Sequence, residues 1–88
     1  MDQNLQGVVD VLKQISEWLY QDEVQKAYQN LIMIIPKLDA ECNSISDENV
    51  RKDVTDKLML ALDAMENEDT LLLADIIQYE LVEALETL

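Results

Sequence analysis

VQKAYQNLIMIIPKLDAECNSI, residues 24–45, sets Val24, Tyr28, Leu31, Ile35, Leu38, Cys42 and Ile45 at alternating spacings of 4 and 3. Held for three heptads, that rhythm is the seam of a long amphipathic helix packed nearly antiparallel to its neighbours, as in a helical bundle. Pro36 interrupts the run by removing a backbone donor and crowding the carbonyl of Ile32. At about 100° per residue it falls toward solvent. The expectation is therefore one helix kinked at Pro36 whose stripe continues, with a split into two helices around the same core as the alternative. Asp22 stands where a residue capping the start of this helix belongs. Cys42, on the stripe, is expected to be a buried and inert thiol.

Upstream, Leu5, Val8, Leu12, Ile15 and Leu19 form a second such stripe, with Asp10, Lys13, Gln14, Glu17 and Gln21 opposite. Val11 and Trp18 lie on its flank, and Trp18 reads as a residue at the edge of the core. Downstream, Asn43 to Ser46 reads as a loop, and Ser46 or Asp47 caps a third helix with Asp47 and Glu48 at its start, where the helix dipole favours anions. The third stripe is Val50, Val54, Leu58, Ala61 and Met65. Asn67 to Asp69 then breaks the pattern, Asn67 serving as a left-handed terminator and Asp69 capping a fourth helix with the stripe Ala74, Ile77, Leu81, Leu85 and Leu88. The fold class that follows is all-α: an antiparallel four-helix bundle-like array in a single domain, residues 1–88.

Charge narrows the function. Nineteen acidic and six basic residues give a net charge of −13, which opposes binding to nucleic acid or anionic lipid, since such association is driven by Lys and Arg displacing counterions. A protein partner with a basic surface fits that charge; so does an acidic coat that merely keeps a small protein soluble. The longest uninterrupted apolar run, Leu31 to Ile35, is far short of the roughly 20 residues that cross a bilayer. With one cysteine and no signal-peptide pattern, a cytoplasmic protein that engages no membrane is expected.

Chemistry is sparse. With no histidine, nucleophile pairs built on His and His-containing metal sites are absent by composition. The lone glycine, Gly7, cannot form a phosphate-cradling loop. No cofactor, metal site or catalytic residue is expected. The enzyme alternative uses carboxylates three apart, Asp53 with Asp56 and Glu80 with Glu83, as oxygen ligands on one helical face, which would make a magnesium-dependent all-α nucleotide phosphohydrolase. A further alternative is an acidic decoy that imitates nucleic acid and occupies a basic cleft.

The last segment, DTLLLADIIQYELVEALETL, has more apolar side chains than one core-facing stripe holds. Leu72, Ile76, Tyr79 and Glu83 follow a second helical spacing opposite the core stripe, and Val82 widens it. Aliphatic and aromatic anchors within a charged rim are the anatomy of a protein interface. Met33 and Met59 lie off their own stripes, and the flexible thioether adapts to irregular contacts. The expected partner-binding set is thus Leu72, Ile76, Tyr79, Val82, Glu83, Met33 and Met59. Internal burial, a homodimer and a foreign protein partner all remain open as the cover for this second face.

Leu71 to Leu88, with its Ala-Asp at Ala74 and Asp75 and its Tyr-Glu-Leu at Tyr79, Glu80 and Leu81, resembles the C-terminal segment of small acidic helical proteins of Gram-positive bacteria. The resemblance implies a bacterial cytoplasmic helical domain without known catalysis. In size, acidity and helix order the chain is also similar to small flagellar and secretion chaperones, which hold an export substrate against an exposed helix. That likeness implies a chaperone-like, non-enzymatic interaction module.

Overall fold

The computed structural model describes residues 3–88 and places nearly all of them in helices. Helix α1 spans Gln3–Tyr20, α2 Val24–Asn43 and α3 Glu48–Glu66; the fourth helix is built from α4 (Thr70–Asp75), a π-helical turn (Ile76–Leu81) and α5 (Val82–Glu86). The links are short, so successive helices run back alongside one another. Against α1, the fourth helix brings Glu86 to Lys13, Gln78 to Ser16 and Asp75 to Tyr20, which fixes the pair as antiparallel. α1 packs on α2 and on the fourth helix, and α3 packs on the same two, so the four close into an up-down-up-down bundle. One continuous core joins them, including Leu12, Ile15, Leu31, Leu38, Val54, Leu73, Ile77, Leu81 and Leu85. The Cα radius of gyration of 12.0 Å is what about 90 residues folded on one core give.

The apolar stripes explain most of this packing. All five stripe residues of α1 are buried, joined by Val9 and by Ser16, whose Oγ lies 2.8 Å from the Lys13 carbonyl and 2.9 Å from Oε1 of Gln78. α2 passes through Pro36 as one helix, with the proline on its exposed side. Its buried line is Ala27, Leu31, Ile34, Leu38 and Cys42, while Val24, Tyr28, Ile35 and Ile45 from the expected stripe are partly buried. Trp18 is half-buried at the core edge, with the Lys26 ammonium 5.2 Å from its ring centroid. Burial raises the pKa of the Cys42 thiol, and Asp39 and Glu41 add to that shift. The loop before α3 is held by Arg51, whose guanidinium donates to the Ile45 carbonyl at 2.9 Å.

The helix ends correct the sequence reading in two places. Asp22 does not cap α2: Glu23 occupies that position and makes no side-chain cap, while Asp22 itself adopts a left-handed φ of 63°. Its amide donates to Leu19 and that of Glu23 donates to Trp18, so Asp22 closes α1 in a Schellman turn. The same motif ends α3, where Glu68 takes the left-handed φ of 57° and Asp69 N–H reaches back to the Ala64 carbonyl. Asn67, expected in that role, stays at φ −82°. Two caps lie where the sequence puts them: Asp47 accepts from the amides of Asn49 and Val50, and Asp69 from that of Leu72.

The largest departure is the π turn. Val82 N–H donates to the Ile77 carbonyl, five residues back rather than four. A wider turn advances each residue by less than about 100°, so the faces after Ile76 are rotated relative to a regular α-helix. Val82, expected on the outer stripe, swings into the core at 1% exposure, and Ile76 packs against the same core at 8%. Both leave the expected partner-binding set. Leu88, expected at the end of the core stripe, is exposed because it lies beyond the last helical turn.

Candidate partner-binding surface

The fourth helix presents Leu72, Tyr79 and Glu83 to solvent, with Leu72 at 48% and Tyr79 at 60% exposure. Tyr79 stands on a crest. On one side it lines a groove against α3, with Asp53, Lys57, Glu80 and Glu83; on the other it lines a groove against α1, with Lys13, Ser16, Glu17 and Tyr20. Ile76 and Val82 beneath it hold the crest on the core. Leu60 and Met59 of α3 are exposed at 56% and 55%, and Leu71 extends the uncovered apolar surface beside Leu72.

Electrostatics around the crest are one-sided. Lys57 is bound to Asp53 at 2.8 Å, and Lys13 to Glu86 at 3.0 Å. The Lys57 pKa is raised, first by its hydrogen bond to Asp53, with burial opposing and the charges of Asp53, Glu80 and Glu83 adding to the rise. Both lysines bordering the crest are thus held by carboxylates of the chain itself, and among the described residues Glu80 and Glu83 form no ion pair. Tyr20 Oη donates to Asp75 Oδ1 at 2.5 Å. That hydrogen bond, followed by burial and the charges of Asp75 and Tyr79, pushes the Tyr20 phenol up to about 12.

Seen from the expected site residues, the structure brings Tyr79 and Glu83 into one groove and sets Leu72 on the same helix. Met33 belongs elsewhere: it lines a groove between α1 and α2 with Val11, Asn30, Ile34 and Lys37. Tyr20 and Leu71 are exposed residues that belong to no apolar stripe. Tyr20 follows the last stripe residue of α1, and its link to Asp75 is 55 residues away in sequence, a contact no local spacing announces. Three of the four paired carboxylates, Asp53, Glu80 and Glu83, line the α3 groove, with the Lys57 ammonium among them. Among the described residues no group of three or more Cys, Asp or Glu is arranged to hold a metal ion, and no helix is long and apolar enough to cross a membrane.

No curated protein and no solved structure matches the chain. A family model, described as a domain of unknown function (DUF8042), matches residues 1–88, and the chain belongs to that family.

Proposed function

We propose that the chain is a non-enzymatic protein-interaction module that binds a cationic segment of another protein across the outer crest of its fourth helix. The exposed Tyr79, set between two grooves and bordered by Glu80 and Glu83, which form no ion pair among the described residues, is the observation that carries the reading. Tyr79 and Leu72 supply apolar anchors, while Glu80 and Glu83 orient a basic partner and speed its approach. A partner helix with an apolar stripe flanked by Lys or Arg suits such a surface by helix-on-helix packing. The similarity in size, acidity and helix order to small flagellar and secretion chaperones favours, by analogy, a chaperone-like role in which the crest holds a segment of the client.

The test compares proteins co-purifying with the intact chain and with Tyr79→Glu. The expected result is loss of the bound partner from the variant at unchanged mass and helicity, and recovery with Tyr79→Phe. An identical set of partners on the wild type and Tyr79→Glu would remove the crest as the binding surface.

A further inference from the structure

The crest of the fourth helix has two sides, and their polar groups are used differently. On the side facing α1, Tyr20 donates to Asp75, Ser16 Oγ lies 2.9 Å from Oε1 of Gln78, and Lys13 pairs with Glu86. The charged residues lining that groove, Lys13 and Glu17, balance one another. On the side facing α3, the groove is lined by three carboxylates, Asp53, Glu80 and Glu83, and by one lysine, Lys57. Asp53 holds Lys57 at 2.8 Å, so the charge of the two glutamates is uncompensated there. A cation approaching the crest is therefore drawn to the α3 side.

Apolar surface continues from the same groove. Lys57 shares it with Tyr79 and Glu80, and α3 runs antiparallel to the fourth helix. One turn onward along α3 and one turn back along the fourth helix, Leu60 comes level with Ile76, between Leu72 and Tyr79. Ile76 is buried, whereas Leu60, Leu72 and Tyr79 are exposed. Asp56 and Asp63 stand four residues before and three after Leu60, on the same face of α3, and both are exposed. Among the described residues neither is in an ion pair. The strip is thus apolar in its middle and anionic both at the end where Glu80 and Glu83 lie and along its α3 border.

We infer that the partner seats on the α3 side of the crest as an amphipathic helix, its apolar stripe on Leu60, Leu72 and Tyr79 and its Lys or Arg residues on Glu80, Glu83, Asp56 and Asp63. This rests on the reading of the crest as the binding surface, and adds to it a side, a second contributing helix and a pattern for the partner. A helix lying between α3 and the fourth helix touches both, its side chains entering the groove as they do between helices of a bundle. The carboxylates select a partner that is cationic beside its stripe and reject one that is acidic there. Lys57 is the one like charge that such a partner meets in the groove, and Asp53 restrains it.

The probe is a labelled synthetic helix with leucines along one face and lysines on its flanks, titrated with the full chain and followed by fluorescence anisotropy. Salt of 0.15 M limits the reach of each charge to about 8 Å. Two pairs of variants make equal changes of net charge on opposite sides of the crest. Glu83→Gln should weaken binding about three- to fivefold while Glu17→Gln leaves it unchanged, and Lys57→Gln should tighten it by a similar factor while Lys13→Gln does not. Leu60→Ser, at unchanged helicity, should weaken it about tenfold. A wild type that does not bind the probe overturns the inference, as does an equal response within either pair or a Leu60→Ser that binds like the wild type. Tyr79→Glu separates the two readings. If it abolishes binding while the α3-side variants bind like the wild type, the crest stands and the α3 seat falls; binding that survives Tyr79→Glu removes both.

Discussion

Tyr20 shows how a single surface contact ties stability to pH. Its phenol donates to Asp75, and the bond exists only while the proton is present, so the fold holds that proton to about 12 against an ordinary value of 10.0. The unfolded chain releases it first. The contribution of this contact is therefore complete below pH 10, declines as the pH rises through the gap, and is gone above the folded value. In an alkaline titration followed by tyrosinate absorbance, Tyr20→Phe should remove a late-titrating group, and Asp75→Asn should return Tyr20 toward 10.0. A late group that persists in Asp75→Asn and vanishes when Tyr20→Phe is added to it would assign the shift to burial rather than to the carboxylate. Tyr28 differs: its Oη is buried with no hydrogen-bond partner among the described residues, and burial is the first cause of its raised pKa, ahead of Glu68 and Asp69.

At the scale of elements, what the sequence disclosed depended on whether the local geometry was regular. α1 was fully legible, its five stripe residues all reaching the core, because an unbroken α-helix obeys the period by which a stripe is read. On α2 the helix was legible and its facing only roughly so, since Ala27 and Ile34, beside the stripe, are buried more deeply than Val24 or Ile35. Asp47 and Asp69 could be read as caps because their side chains accept from amides two or three residues on, a local bond. Asp22 and Glu68 could not, because a left-handed residue without glycine leaves little trace in sequence. For the candidate site, Leu72, Tyr79 and Glu83 were legible as an outer face, while Ile76 and Val82 were lost to a π turn that spacing alone does not reveal. The left-handed Glu68 bears a steric cost that glycine does not. Glu68→Gly should accordingly raise the unfolding free energy by about 1 kcal/mol, net of the added freedom of the unfolded chain. Equilibrium urea denaturation checks the sign, and a fall in stability would mean that the Glu68 side chain contributes more than its backbone costs.

For the whole molecule, the net charge of −13 on 88 residues acts against compaction as well as against self-association at the acidic faces. Its two ion pairs among the described residues use Lys13 and Lys57 and leave many carboxylates facing solvent. Added sodium chloride shortens the range of that repulsion to about 10 Å at 0.1 M. The melting temperature should therefore rise by several degrees between low and moderate salt, as followed by circular dichroism at constant protein concentration. A fall over that interval would show that attractive pairs outweigh the repulsion.

The i to i+5 step from Ile77 to Val82 also bears on how many residues the interior needs. A π turn is an α-helix with one residue to spare. Were Glu80 deleted, Leu73, Ala74, Ile77, Leu81, Val82 and Leu85 would follow one another at regular α spacings, every one of them still inward. The interior would thus tolerate loss of that residue without being rebuilt, and what would go with it is the π turn on which Tyr79 sits.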